Sequence, residues 1–155
     1  MNIKSFIFLI TCSFILSACS GSNTYNPELS AELVDEYCYE TKFKGDHEGY
    51  DKMINSLSQS TFAEIIGQLH GIVIEAQKQL ESIKTLNTLT QQKTAYAEFN
   101  DGVMLYNFEE LNGLIGDAMS RNLLNESNTK AYNKVRQIIE NEIVPLDESI
   151  RNRVR

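Results

Sequence analysis

Few side chains in this sequence are equipped for chemistry. Three cysteines (Cys12, Cys19, Cys38) and two histidines (His47, His70) are the whole stock of thiols and neutral-pH bases. No Glu stands three residues before either histidine, so the Glu-x-x-His pairs of di-iron bundles are missing. No Cys-x-x-Cys-His run is present for covalent haem. His70 with the distant Met104 would have to serve as axial ligands, and an edge histidine on a helix is the simpler expectation. Asp46, His47, Glu48 and Asp51 cluster in "GDHEGYD" but lack the ligand spacing and closing bidentate Glu of a calcium loop. A solvated acidic loop is expected there. Glu98, Asp101, Glu109, Glu110 and Asp117 follow one another with no Lys or Arg between them. Paired carboxylates can do acid–base work, but helices usually carry such charge on their wet face. They are read as solvating, or as a docking surface for a basic partner. No metal, cofactor or catalytic residue is expected.

The cysteines divide by position. Phe6 to Leu16 is an apolar run after Lys4, and the small residues Ser17 and Ala18 precede Cys19. The run is shorter than the ~20 apolar residues needed to cross a bilayer. Leu16-Ser17-Ala18-Cys19 resembles the lipobox of bacterial lipoproteins. That resemblance implies cleavage between Ala18 and Cys19, lipid attachment at Cys19 and a palmitate-type acyl anchor. Ser20 beside Cys19 resembles the subset sorted to the outer membrane, facing the periplasm. On this reading residues 1–18 are a signal peptide, 19–26 a lipidated cysteine and short flexible tether, and 27–155 the folded domain. Several acyl chains anchor stably where one alone does not.

Cys38 is then the one thiol of the mature chain outside the anchor, with no partner for an intramolecular disulfide. In "LVDEYCYE" it is expected to be buried as a small apolar side chain. An intermolecular disulfide through Cys38 is the minor alternative. Asp35, Glu36 and Glu40 would raise its pKa, the wrong direction for a nucleophile.

The whole chain carries a net charge of −7. That argues against nucleic acid and against electrostatic adhesion to anionic lipid. Solubility explains the acidity most simply, and a basic protein partner is allowed. There is no Trp, and only Pro27 and Pro145 interrupt the chain, which suits helices.

Apolar spacing places the elements. Asn26-Pro27-Glu28 opens a first helix, 27–44, ending near Gly45. A brief helical piece is expected at 50–57. Thr61 to Glu64 reads as a capping box for a second helix, 61–86, with apolar residues from Phe62 to Leu86 at i, i+3, i+4 spacing. Asn87 is its expected left-handed cap. The third helix, opened by Thr88 or Thr90, covers 90–121, with Tyr96, Phe99, Val103, Met104, Phe108, Leu111, Ile115 and Ala118 inward and a kink or break allowed by its glycines. The fourth starts at a cap on Ser127 or Asn128, and Pro145 should kink or split it near Ile143. Gly67 and Gly71 predict close packing of the second and third helices near residues 106 and 110.

The predicted class is all-α, an antiparallel bundle of about four helices. "LTQQK" at 89–93 is similar to a Leu-Thr-x-x-Gln signature of periplasmic helical chaperones, but Lys93 stands in the Gln place and local capping explains the string. The expected function is a non-catalytic, membrane-anchored envelope component that binds a protein: an escort, an accessory subunit or an immunity-type protein. The alternative is a carrier of a small molecule, lipid or metal in a cavity lined by Phe99, Met104, Phe108 and Ile139.

Overall fold

The computed structural model describes residues 24–155. The expected signal peptide, the expected cleavage between Ala18 and Cys19, and Cys19 itself lie outside the described residues. Among those described, the chain is all-helical, with seven α-helices rather than about four, and no strand. They are α1 (Pro27–Tyr37), α2 (His47–Ser56), α3 (Gln59–Thr85), α4 (Leu89–Asn100), α5 (Val103–Ser120), α6 (Glu126–Ile138) and α7 (Val144–Val154). Two single π turns, Tyr39–Phe43 and Ile139–Ile143, interrupt the series.

The extra helices come from breaks in the expected ones. The first helix ends at Cys38, whose backbone turns extended (φ −85°, ψ 144°) although neither Gly nor Pro marks the place. A π turn follows and closes with left-handed Lys44 and Gly45. The expected third helix breaks at Asp101–Gly102, and Gly102 caps α5. Val103 was expected inward, but it is 68% exposed because the break resets the helical phase. Near Ile143 the chain stays helical with a wider turn: Val144 N–H bonds to the Ile139 carbonyl, and Pro145 falls in the first turn of α7, where its missing N–H is tolerated.

The caps also differ. Ser58, three residues before Thr61, accepts the Thr61 N–H and opens α3, so Thr61 is inside the helix. Leu86 ends α3 in extended conformation, and Asn87 is not left-handed. Thr88 and Gln91 form a reciprocal capping box on α4. Asn125, not Ser127 or Asn128, caps α6.

The apolar stripe of α3 is buried from Phe62 to Ile83 and forms the spine. Two hydrophobic clusters form along it. The larger joins Phe62 to Ala76 with Leu33, Val34 and Cys38, with Ile54, with Met104, Leu111, Leu114 and Ile115 of α5, and with Tyr132 and Val135 of α6. The smaller joins Leu80 and Ile83 with Leu146, Ile150 and Val154 of α7. Phe99 and Ile143 touch both clusters.

α3 does pack on α5 through the larger cluster, as expected, but the backbone that Gly71 admits is the chain's own entry segment. A Cβ on Gly71 would lie 2.7 Å from the Thr24 carbonyl carbon and closer still to Tyr25 N. Buried Gln68 holds the same segment. Its amide oxygen accepts the Asn26 N–H at 2.9 Å and the Ser30 hydroxyl at 3.0 Å. The expected flexible tether therefore cannot extend through 26, because 24–26 is fixed on α3.

Candidate functional site

A cleft of about 240 Å³ opens at the seam between the two clusters. Its α3 wall is Ile72, Val73, Ala76 and Leu80. The opposite walls are Phe99, Leu105 and Phe108 from the α4–α5 region and Ile139, Ile143 and Val144 from the π turn and the start of α7. Asn100, Glu109 and Asp147 supply its polar edge.

Both far walls are irregular backbone. On one side α4 ends at Asn100 and α5 restarts at Val103; on the other the wide turn Ile139–Ile143 replaces a regular α turn. An unbroken helix presents one continuous apolar ridge to its neighbour. A break and a π turn each rotate the ridge, so the side chains facing Ala76 do not fill the space between them. The small side chain of Ala76 adds to the gap.

The edge carries negative charge. The Tyr96 hydroxyl donates to Asp147 at 2.7 Å, and burial, then this bond, pushes the Tyr96 hydroxyl up from its ordinary range. Arg151 reaches the other Asp147 oxygen only at 4.0 Å. Glu109, which is exposed, lines the same edge. Burial, then Glu40 and Glu109, raises neighbouring Glu110 above the usual carboxylate range. The cleft thus offers an apolar floor and an acidic lip, which suits an apolar group carrying a cation.

Three of the four residues expected to line a cavity, Phe99, Phe108 and Ile139, do line it. Met104 instead packs into the larger cluster, 9% exposed. Leu105, Val144 and Asn100 are lining residues that periodicity did not single out, because each sits beside a helix break.

Cys38, Asp46, His47, Glu48 and Asp51 have structural employment. Cys38 is 1% exposed, and burial, then Glu110, pushes its thiol up to about 12. An intermolecular disulfide there would require the α1 junction to open. Asp46 caps α2 by accepting the Gly49 N–H, Glu48 pairs with Lys52 at 2.6 Å, and Asp51 pairs with Arg121 at 2.8 Å. His47 stacks on Tyr39 with ring centroids 5.1 Å apart. His70 Nδ1 and the Asn107 side-chain nitrogen are buried without hydrogen-bond partners among the described residues. No group of three or more His, Cys, Asp or Glu among the described residues is placed to hold a metal ion. No helix there is long and apolar enough to cross a membrane. Comparison with protein-family models, with curated proteins and with solved structures gives no match for this chain.

Proposed function

We propose that the protein is a bacterial lipoprotein, anchored at Cys19 in the outer membrane and facing the periplasm, which binds a protein partner and performs no catalysis. The helices act as an antiparallel bundle that presents the cleft between α3, the α4–α5 break and the π turn. The observation that carries this reading is that cleft: an apolar floor of Ala76, Phe99, Phe108 and Ile143 with Glu109 and Asp147 at its edge. Its complement is an apolar side chain or short helix flanked by Lys or Arg. The acidity of the whole chain favours the same basic partner. Escort, accessory-subunit and immunity-type roles all use such a surface.

The test is purification of the full-length protein from detergent-solubilised envelopes, with an intact mass. The expected result is a chain starting at Cys19 with acyl groups and one stoichiometric protein partner. That partner should be lost when Ala76→Leu fills the cleft and weakened by salt. A second reading, a carrier of a small apolar ligand, is favoured by the volume and lining of the cleft, which approaches the ~300 Å³ lower end of ligand pockets. A retained small molecule lost in Ala76→Leu, with no protein partner, would decide for it.

A further inference from the structure

The entry segment and the cleft lie on opposite sides of one helix. Thr24, Tyr25 and Pro27 run against Gly71, Ile74, Glu75, Lys78 and Gln79 of α3. The cleft uses Ile72, Val73, Ala76 and Leu80 of the same helix. At about 100° per residue, the two sets are centred on directions about 150° apart.

The entry segment is fastened there. Gln68 is 2% exposed and binds the Asn26 N–H and the Ser30 hydroxyl. Its amide nitrogen also reaches the Thr24 carbonyl at 3.5 Å. Gly71 has no side chain to hold Tyr25 away. Asn26 caps α1 through Glu28 and Leu29 N–H, so the segment is held at both ends. Tyr25 packs its ring on the larger cluster.

We propose that this clamp orients the protein on its membrane: α3 lies along the bilayer with its Tyr25 side toward the lipid headgroups, and the cleft is held on the side away from them. The proposal rests on Cys19 being the anchor. From Cys19 to Thr24 a fully extended chain spans at most about 18 Å. Gly71 lies near the middle of α3, whose 27 residues extend about 40 Å. The tether is about as long as half that helix, so α3 cannot stand far from the surface that holds it. Turning the cleft side to the bilayer would take the tether around α3, about 10–12 Å across, and past the helices walling the cleft, roughly another 10 Å. On α3 that side carries Glu75 and Lys78, paired at 3.7 Å, so the helix itself presents no unbalanced charge to the headgroups. A partner then enters the cleft from the aqueous compartment and not from the anchoring leaflet.

The orientation is measurable by energy transfer from single dyes to acceptor-labelled headgroups. The acylated full-length protein is placed in phosphatidylethanolamine–phosphatidylglycerol vesicles. Lys78→Cys labels the clamp side and Val144→Cys the cleft edge; Cys38, 1% exposed, stays unlabelled in the folded protein. Transfer should be several-fold stronger from position 78 than from position 144. Equal or reversed transfer in protein of confirmed acylated mass overturns the orientation and leaves the anchor standing. A mass without acyl groups overturns the anchor and the orientation together. Inserting about ten Gly/Ser residues between Ser22 and Asn23 lengthens the reach by about 36 Å without touching a described contact, and should erase the difference. Its persistence after insertion would show that the clamp does not set the orientation.

Discussion

The Gln68 amide oxygen accepts the Ser30 hydroxyl at 3.0 Å, and both residues are buried, across 38 positions of sequence. The same oxygen takes the Asn26 N–H. One polar side chain of α3 thus satisfies two donors from α1 and its cap. Gln68→Leu keeps the bulk and leaves both donors without a partner inside the protein. Unfolding in urea should show a loss of about 1–3 kcal/mol, the range for an orphaned buried polar group. Amide exchange should also quicken at Asn26. Unchanged stability would mean that these donors find water in place of Gln68.

The start of α3 separates two readings of one string. Ser58 Oγ accepts the Thr61 N–H at 3.1 Å, whereas Thr61 sits inside the helix. Ser58→Ala should cost about 1 kcal/mol, as loss of an N-cap does. Thr61→Ala should cost clearly less. Denaturant midpoints of the two variants decide it, and the reverse order would restore Thr61 as the cap.

That ambiguity shows where the sequence was legible. A period of 3.6 carried through Phe62, Ile65, Leu69, Ile72, Ala76, Leu80 and Ile83 made α3 plain, and all are buried. Ser58-x-x-Thr61 and Thr61-x-x-Glu64 overlap, and spacing alone does not choose between them. The break at Gly102 had a local signal; the one at Cys38 did not, because Tyr37 and Tyr39 are ordinary helix residues and tertiary packing decides. Gly71 was recognisable as a place of close approach, but its visitor, Tyr25, comes from outside any periodic segment. The cleft was half readable. Phe99, Phe108 and Ile139 stand out as apolar positions, while Leu105 and Val144 matter only because two helix breaks meet across Ala76.

Cys38 gives the protein an alkaline liability. Its folded pKa is about 12 against an ordinary 9.0, with burial the main cause and Glu110 the next. The folded state keeps the proton while the unfolded state loses it. Stability should therefore be unaffected by this group below about 9, and fall between about 9 and 12 as the unfolded chain ionises first. Tyr25, Tyr37 and Tyr132, raised by burial from an ordinary 10.0, add the same trend from about 10 upward. Cys38→Ala should flatten the early part of the decline in urea titrations across this range. A thiol reagent should modify the native protein slowly and the unfolded protein fast. Equal rates would place the thiol at the surface.

The cleft makes the most direct demand. Ala76 is 5% exposed and forms part of its floor. Ala76→Leu adds three carbons to space that is already present, so the melting temperature should hold or rise, unlike overpacking of a filled core. Binding should fall sharply, because the added side chain occupies the volume a guest would use. Glu109→Lys tests the acidic lip by a separate route. Glu109 is exposed, so the fold should be untouched, while a basic partner should bind more slowly and with a weaker dependence on salt. Calorimetry and stopped-flow binding at two ionic strengths read both effects. Binding unaffected by Ala76→Leu would move the partner site elsewhere on the surface. Sensitivity to Ala76→Leu but not to Glu109→Lys would identify an uncharged apolar guest, and with it the carrier reading.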